Sequence, residues 1–479
     1  LDRLIAVTDA RGNESTYHYD AIGRRTNSHS AYVAHSYQYD NLGNLTHAAI
    51  DPEGLNLWTE TVYDPVRRPI TTSNRLATTK RQYDPLGRVT NLIDQVAQSW
   101  SAEYNANGRK TKDIRPSGAG EIYLYDAVGN RIGFYNAENN AIVYGFDTRN
   151  RITAITNAIG NVTRFSYDEA GNVSARIDAK NETTHYAYDP VNRLTNIVHE
   201  GVWRASFVYD ANGNQTANTA EGVGVTFGYD AMNRMTASTQ HVQSLSFAFS
   251  YGYDDNGNRT NIGYPGGLNV GYSYDEDNRL VDVTVTPPSA PTRTFTFQYD
   301  TASRMSSMVY PNGINASFVY DAESRMVRFT HGDILDHAIE RDPRGYKVRE
   351  DTYTGLVPDF SNHFSQVRSH NGADQLIAAG EATFAYDANG NVTNTSGDEY
   401  QWNYDNRLLS TTDSTYLYDG SGIRVGSVST STTRYFLVDY RAPLKMPLAE
   451  ADETGAIVRY FIWSSYGLLA HLDMDPATH

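Results

Sequence analysis

Cysteine is absent from this chain, which excludes disulfides, zinc–thiolate centres and cysteine nucleophiles. Tryptophan (5) and phenylalanine (16) are scarce, whereas tyrosine occurs 36 times. One aromatic chosen so often points to a recurring position rather than to a generic core. No apolar run approaches the ~20 residues that a membrane-spanning helix needs. Positive charge is in the minority, 40 Lys and Arg against 56 Asp and Glu, for a net charge of −16. Such a surface repels phosphate backbones, so a nucleic-acid partner is disfavoured, and the acidity reads as the solubility of a large β-protein. A charged fraction of 20% and a hydrophobic fraction of 39% are ordinary for a folded chain. The first residue is Leu1 rather than Met, with no charged-then-apolar leader behind it. The chain is therefore expected to be an internal fragment, with any secretion signal outside it. At 479 residues it exceeds the usual single core, so several domains or one additive repeat array is expected.

The array is visible as a recurring Tyr-Asp pair. It stands at Tyr19-Asp20, Tyr39-Asp40, Tyr63-Asp64, Tyr83-Asp84, Tyr125-Asp126, Tyr167-Asp168 and Tyr188-Asp189. It returns at Tyr209-Asp210, Tyr229-Asp230, Tyr253-Asp254, Tyr274-Asp275, Tyr299-Asp300 and Tyr320-Asp321. With the degenerate copies Tyr104-Asn105 and Phe146-Asp147, the positions 83, 104, 125, 146, 167 and 188 follow in steps of 21. A glycine follows the Asp at Gly23, Gly43, Gly87, Gly129, Gly171, Gly213 and Gly257. In Asp-x-x-Gly the carboxylate accepts from backbone N–H groups two residues on, and Gly takes the positive φ that a β-carbon resists. A second turn lies about half a period away, as at Asp9–Asn13, Asn157–Asn161 and Asp178–Asn181, 11 residues before the next motif Asp. Removing a turn of about five residues leaves strands of roughly six, so the chain is expected to be an antiparallel meander. Aromatics at spacing two, such as Tyr17/Tyr19 and Phe165/Tyr167, put both rings on one face and predict ring-beside-ring ladders. The Arg after the turn, as in Arg193-Leu-Thr195, is placed to pair with the turn Asp.

Two strands per unit give about 40 strands, a sheet on the order of 190 Å wide. A barrel of about eight strands is already filled by side chains, so such a sheet must curl around a hollow or break into packed sandwiches. Geometry leaves both open. The YD-x-x-G-[RN]-[LIVM]-T units from Tyr17 to Arg424 resemble the YD/RHS repeats of bacterial Rhs polymorphic toxins, toxin-complex C components and teneurins. That resemblance implies an all-β fold in which tandem antiparallel hairpins form a spiral hollow shell. It also implies a secreted or cell-surface setting and, as partner, a C-terminal toxin or effector cargo of the parent polypeptide.

The expected domains are a YD shell over 1–340, an irregular or divergent segment over 341–385, short-spaced repeats over 386–433, and the start of an RHS-associated core over 434–479. The last resemblance rests on Arg434–Asp439, Glu453–Tyr460 and Tyr466–His471. The chain stops before the place where that core's Asp-Pro-x-Gly-Leu autocleavage motif would lie. The motif lapses between Asp342 and Tyr386, a stretch that includes Asn362–Arg368, and Asp387, Asp405 and Asp419 then stand 18 and 14 residues apart.

Candidate chemistry is thin. Asp51-Pro-Glu-Gly-Leu55 and Asp342-Pro-Arg-Gly345 imitate the cleavage motif but sit where repeat turns are expected. His331, Asp333, Asp336 and His337, with His363 and His370 beyond, are metal-type ligands without a metal-site pattern. The many Asp residues recur once per repeat, whereas catalysis needs one unique pair. No catalytic, cofactor or metal site is therefore expected. Rows of aromatics can stack on sugars, so the alternative reading is an adhesive, glycan-binding module.

Overall fold

The structure, a computed structural model, describes residues 3–200, 202–342, 345–354, 367–442 and 444–474. It is all-β: 45 strands and one three-residue 3-10 turn, Pro265–Gly267, with no α-helix among the described residues. The strands form a 33-stranded sheet, from Ala6–Thr8 to Lys347–Thr354, and a 12-stranded one, from Arg368–His370 to Gly467–Asp473. Pairing is antiparallel between sequence neighbours, as Glu14–Tyr19 pairs with Arg25–His29 and that strand with Ala34–Tyr39.

One unit shows why the sequence folds this way. Strand Ile152–Thr156 leads through the Asn157–Asn161 turn into Val162–Tyr167, and the Asp168–Asn172 turn leads into Val173–Ile177. Register slips by one residue between Ser166 and Tyr167, a bulge that accommodates the left-handed Gly171 (φ 97°).

The sequence spacing beyond Asp342 needs correction. Turns persist where the letters fade: the Asp342 N–H donates to the Tyr346 carbonyl, and the Asn371 N–H to that of Gln375. Residues 362–366, His363 among them, and Pro343 and Arg344 lie outside the described residues. Asp405 does not open a turn. The Asn403 N–H donates to the Arg407 carbonyl, so Tyr404-Asp405 lies inside the turn and the motif pair is Trp402-Asn403. Turns open at Asn371, Asp387, Asn403 and Asp419, in even steps of 16 residues. These units are short because their second turn shrinks to two residues, as at Ser396 (φ 53°) and Gly397 (φ 115°) between paired Thr395 and Asp398. Their strands, such as Val392–Thr395, are shorter too.

The chain divides into two compact units, one of Leu1–Glu121, Tyr253–Asn261 and Val270–Asn362, the other of Ile122–Gly252, Ile262–Asn269 and His363–His479. The first buries Val283, Val285, Phe295, Phe297 and Met308 on alternate positions of neighbouring strands. In the second, strands from the two sheets pack face to face. Val223, Val225, Val242, Phe247 and Phe249 are buried on one side, and Leu437, Leu448, Tyr460 and Ile462 on the other. Phe227 meets Tyr440 edge-on at 5.4 Å and Tyr264 meets Tyr460 at 5.8 Å. The Gln240 side chain donates across this core to the Phe436 carbonyl at 2.9 Å.

Candidate functional site

The repeated turn is the unit from which any wider role is built. In Asp189–Arg193 the Val191 and Arg193 N–H groups donate to Asp189 Oδ1 at 3.0 and 2.9 Å, and Arg193 Nε donates to Oδ2 at 2.6 Å. The same arrangement holds at Asp20, Asp64, Asp84, Asp230, Asp275, Asp300 and Asp321. At Asp40, Asp126, Asp168, Asp210 and Asp254 an Asn four residues on replaces the Arg. Tyr125 and Tyr253 end their strands as the other motif tyrosines do. The fourth turn residue is left-handed in every case, with φ of 96° at Gly23, 86° at Gly43, 84° at Gly87, 113° at Gly129, 91° at Gly213 and 84° at Gly257.

These hydrogen bonds favour the carboxylate form. The backbone N–H four residues on, aided by the guanidinium, holds Asp20, Asp64, Asp84, Asp147, Asp189 and Asp230 below the ordinary 3.8. Asp9, held by the Asn13 N–H, falls to about 2. A carboxyl depressed in the fold adds stability that is complete above its unfolded value and drains as pH falls through the folded one. The denaturant midpoint is therefore expected to stay level from neutrality to about pH 5 and to fall between about pH 4 and 2. A midpoint unchanged at pH 2.5 would contradict the role given to these carboxylates.

Consecutive units are fastened by the motif Tyr and the turn Arg. Motif Tyr hydroxyls donate to the first strand carbonyl of the unit before them: Tyr39 to Arg25 at 2.9 Å, Tyr83 to Pro69 at 2.8 Å, Tyr188 to Val173 at 3.0 Å, Tyr209 to Leu194 at 2.9 Å and Tyr229 to Gln215 at 2.8 Å. Tyr167 does the same to Ile152, and Tyr19 donates to the Leu4 carbonyl, just ahead of strand Ala6–Thr8. A guanidinium, rather than a second ring, seats on the motif ring. Arg68 lies 4.7 Å from the Tyr83 centroid, Arg151 4.2 Å from Tyr167 and Arg193 4.8 Å from Tyr209. Such a seat contributes about 0.5–1 kcal/mol at a partly exposed site. Arg193 also donates to the Asp210 carbonyl at 3.0 Å.

This seat sets a rule for the next unit. A β-carbon on Gly87, Gly108, Gly171 or Gly213 would stand 3.8–4.0 Å from the preceding guanidinium, so the space suits Gly, or a Ser whose hydroxyl accepts from that guanidinium, as Ser303 and Ser324 do from Arg279 and Arg304 at 3.1 and 3.3 Å. Where Asn replaces Arg, the next left-handed residue becomes Asn. Asn130, Asn172, Asn214, Asn258 and Asn391 donate to Asn150, Asn192, Asn233, Asn278 and Asn406 at 2.8–2.9 Å. Asn44, followed by Arg67, is the exception. Arg193→Asn is therefore expected to destabilise, and Gly213→Asn added to it to restore about half of the loss. Denaturation of the two single variants and the double variant reads this directly; simple addition of the two losses would refute the rule.

Seams inside each unit bring distant turns together. In the first, Asn256 donates to Asp9 at 2.7 Å, Ser30 to Asp277 at 2.9 Å, Arg11 to Asn278 at 2.9 Å, and Thr301 to Asp51. In the second, Asn136 donates to Asp374 at 2.7 Å, Asn161 to the Ala388 carbonyl at 2.6 Å and Asn389 to Asp178 at 2.6 Å. The buried His199 ring stacks on Tyr404 at 4.8 Å, with Nδ1 2.8 Å from Thr184 Oγ1 and Nε2 3.5 Å from Asp405 Oδ1. Arg407 and Arg204 stand 3.1 and 3.7 Å from the other Asp405 oxygen. The seam residues escaped the sequence reading. Their signal is the second residue after the motif Asp: Asn256, Asp277 and Asn389 on seams, but Ile22, Leu42 and Leu86 elsewhere.

The other singled-out segments are structural. Asp51 (φ 48°) closes a turn, its carbonyl accepting from the Gly54 and Asn56 N–H groups and its carboxylate from Leu55. Asp342 and Gly345 close another. His331 packs on Tyr310 at 4.6 Å, Asp336 pairs with Arg328, and His337 Nε2 lies 3.1 Å from Glu350, so these side chains have separate partners. His370 is exposed on strand Arg368–His370. No helix among the described residues is long and apolar enough to cross a membrane.

The family model described as Teneurin YD-shell matches residues 165–331, and that described as RHS Repeat matches residues 1–32 and 146–183. No curated protein sequence matches the chain. Among solved structures, the TcdB2-TccC3-Cdc42 crystal structure matches with a TM-score of 0.65 at 12% identity, covering 97% of this chain and 35% of that one. The Photorhabdus luminescens Tc holotoxin pore with a TccC3 mutation matches with a TM-score of 0.65 at 13% identity, covering 94% and 31%. TcdB2-TccC3 without its hypervariable C-terminal region gives 0.63 at 12% identity, covering 97% and 35%. The chain thus spans about a third of the length of those it resembles. With the tandem hairpins, the turn geometry and these matches together, the chain carries YD/RHS repeats within residues 1–32 and 146–331 and has the β-shell fold of the toxin-complex chains.

Proposed function

We propose that the chain is wall material of an encapsulating shell, part of a secreted or surface-delivered Rhs-type protein. The enclosed cargo would be a C-terminal toxin or effector segment of the parent polypeptide. The likeness to toxin-complex chains over 94–97% of this chain carries the reading, and one of those chains has a hypervariable C-terminal region. The role is mechanical. Motif Tyr, Asp and Gly set the wall, the 16-residue units continue it, and residues 434–479 begin the core that would close it. A glycan-binding role gains no support from the motif rings, since guanidinium groups sit on several and their hydroxyls are engaged.

The test is limited proteolysis of the full parent polypeptide. A C-terminal segment that resists protease until the β-structure is denatured supports encapsulation. Cleavage of that segment at the rate of an unprotected peptide under native conditions would remove it. A glycan array probed with this chain covers the adhesive alternative, for which binding should be absent.

A further inference from the structure

We propose that residues 368–411 form a flap that lifts from the strands beneath it while the rest of the second unit stays folded. The flap carries strands Arg368–His370 to Leu408–Thr411, the outer end of the 12-stranded sheet. Ala379 and Asn403 are its only buried residues, so little apolar surface holds it down. Its turn tips rest on the first sheet through polar contacts. Asp374 accepts from Asn136 at 2.7 Å, Asn389 donates to Asp178 at 2.6 Å, and Asp405 lies 3.7 Å from Arg204. The stacked pair of His199 and Tyr404 lies beside these charges. At the same joint Asn403 Nδ2 and Arg176 Nε are buried without a hydrogen-bond partner. A polar contact of this kind is exchanged for one with water at small net cost, and an unpartnered N–H gains by the exchange.

The hinge follows from the ladder. Strands Leu408–Thr411 and Ser414–Tyr418 pair at Ser410–Thr415 alone, whereas Ser414–Tyr418 and Arg424–Ser429 pair at five positions. The Tyr418 hydroxyl, on the Leu408 carbonyl at 2.7 Å, keeps the two sides joined as they turn. Beyond the hinge the joint changes character. Gly420 presses on the Thr219 backbone, and Leu437, Leu448 and Ile462 are fully buried. Lifting that half would expose apolar surface, at a cost proportional to its area. A segment with few buried apolar contacts opens for a small part of the global free energy. In a wall that encloses a cargo, the flap is where the wall parts. That use rests on the encapsulating reading; the lifting itself does not.

With no native cysteine, a single introduced thiol reports on opening. Thr184 is 1% exposed and bonded to His199, which stacks on Tyr404, whereas Ala449 is fully buried beyond the hinge. In the full chain under native conditions, Thr184→Cys is expected to react with a small maleimide at least ~100-fold faster than Ala449→Cys. Adding Asn389→Asp sets a second carboxylate against Asp178 and should quicken Thr184→Cys several-fold, with Ala449→Cys unchanged. Hydrogen exchange on chains without either reporter gives an independent measure. Joining Asn161→Cys to Ala388→Cys with a short bismaleimide pins the flap where Asn161 meets the Ala388 carbonyl. Exchange on Thr183–Tyr188 and Leu194–His199 should then slow several-fold, and on Thr433–Val438 it should not move. Equal labelling of the two thiols, or exchange beneath the flap that the pin leaves unchanged, overturns the proposal. Neither outcome bears on whether a cargo is enclosed, which proteolysis of the parent polypeptide reads.

Discussion

Gly420→Val is expected to destabilise the second unit by about 2–3 kcal/mol, the range for an unrelieved overpacking. Gly420 lies within the Asp419–Gly422 turn, which presses backbone to backbone on strand Gln215–Ala220. A β-carbon there would stand 2.8 Å from the Thr219 carbonyl oxygen and 3.1 Å from its nitrogen, neither of which can swing aside. Gly160→Ala isolates the other reason for glycine. Gly160 has φ 86° and nothing within 4 Å of its would-be β-carbon, so only backbone strain is charged to it, about 1 kcal/mol. Chemical denaturation of both variants separates the two causes. If Gly420→Val proves no worse than Gly160→Ala, the close approach is not as described.

The second large effect belongs to the core between the sheets. Leu437 is fully buried, among Leu448, Tyr460 and Ile462. Leu437→Ala is expected to cost about 3 kcal/mol, as lost transfer energy plus a cavity. Hydrogen exchange should show the loss as weaker protection on strands Thr433–Val438 and Met235–Val242, with Glu14–Tyr19 unaffected. Uniform loss across the chain would mean that this core is not local to the second unit.

Much of the local fold was legible because it rests on rigid chemistry. Asp-x-x-Gly can satisfy its backbone in few ways, so Asp20, Asp168 and Asp210 open turns where the letters stand. The arginine seats were half legible: pairing with the turn Asp followed from four-residue spacing, but the ring it covers belongs to the next unit. The 16-residue units were misread because Tyr404-Asp405 imitates the motif inside a turn, while Trp402-Asn403 does its work in other letters. Trp402 Nε1 donates to the Val392 carbonyl at 2.6 Å, as a Tyr hydroxyl does elsewhere. The seams showed only in the polar turn residues Asn256, Asp277 and Asn389, and the buried Leu437 face not at all. They join residues about 200 positions apart, and no periodic signal encodes which turn meets which.

That division of contacts by separation has a kinetic side. Each hairpin joins residues about a dozen apart, whereas the seams join Arg11 to Asp275 and Gln240 to Phe436, 264 and 196 positions along. Local pairs can form as the polypeptide leaves the ribosome, one ribbon segment templating the next. The long-range joints must wait for their later half to be made. A nascent chain halted before Phe436 would therefore expose Val225 and Phe249 to water, leaving an adhesive intermediate that a chaperone or rapid completion of synthesis would have to protect.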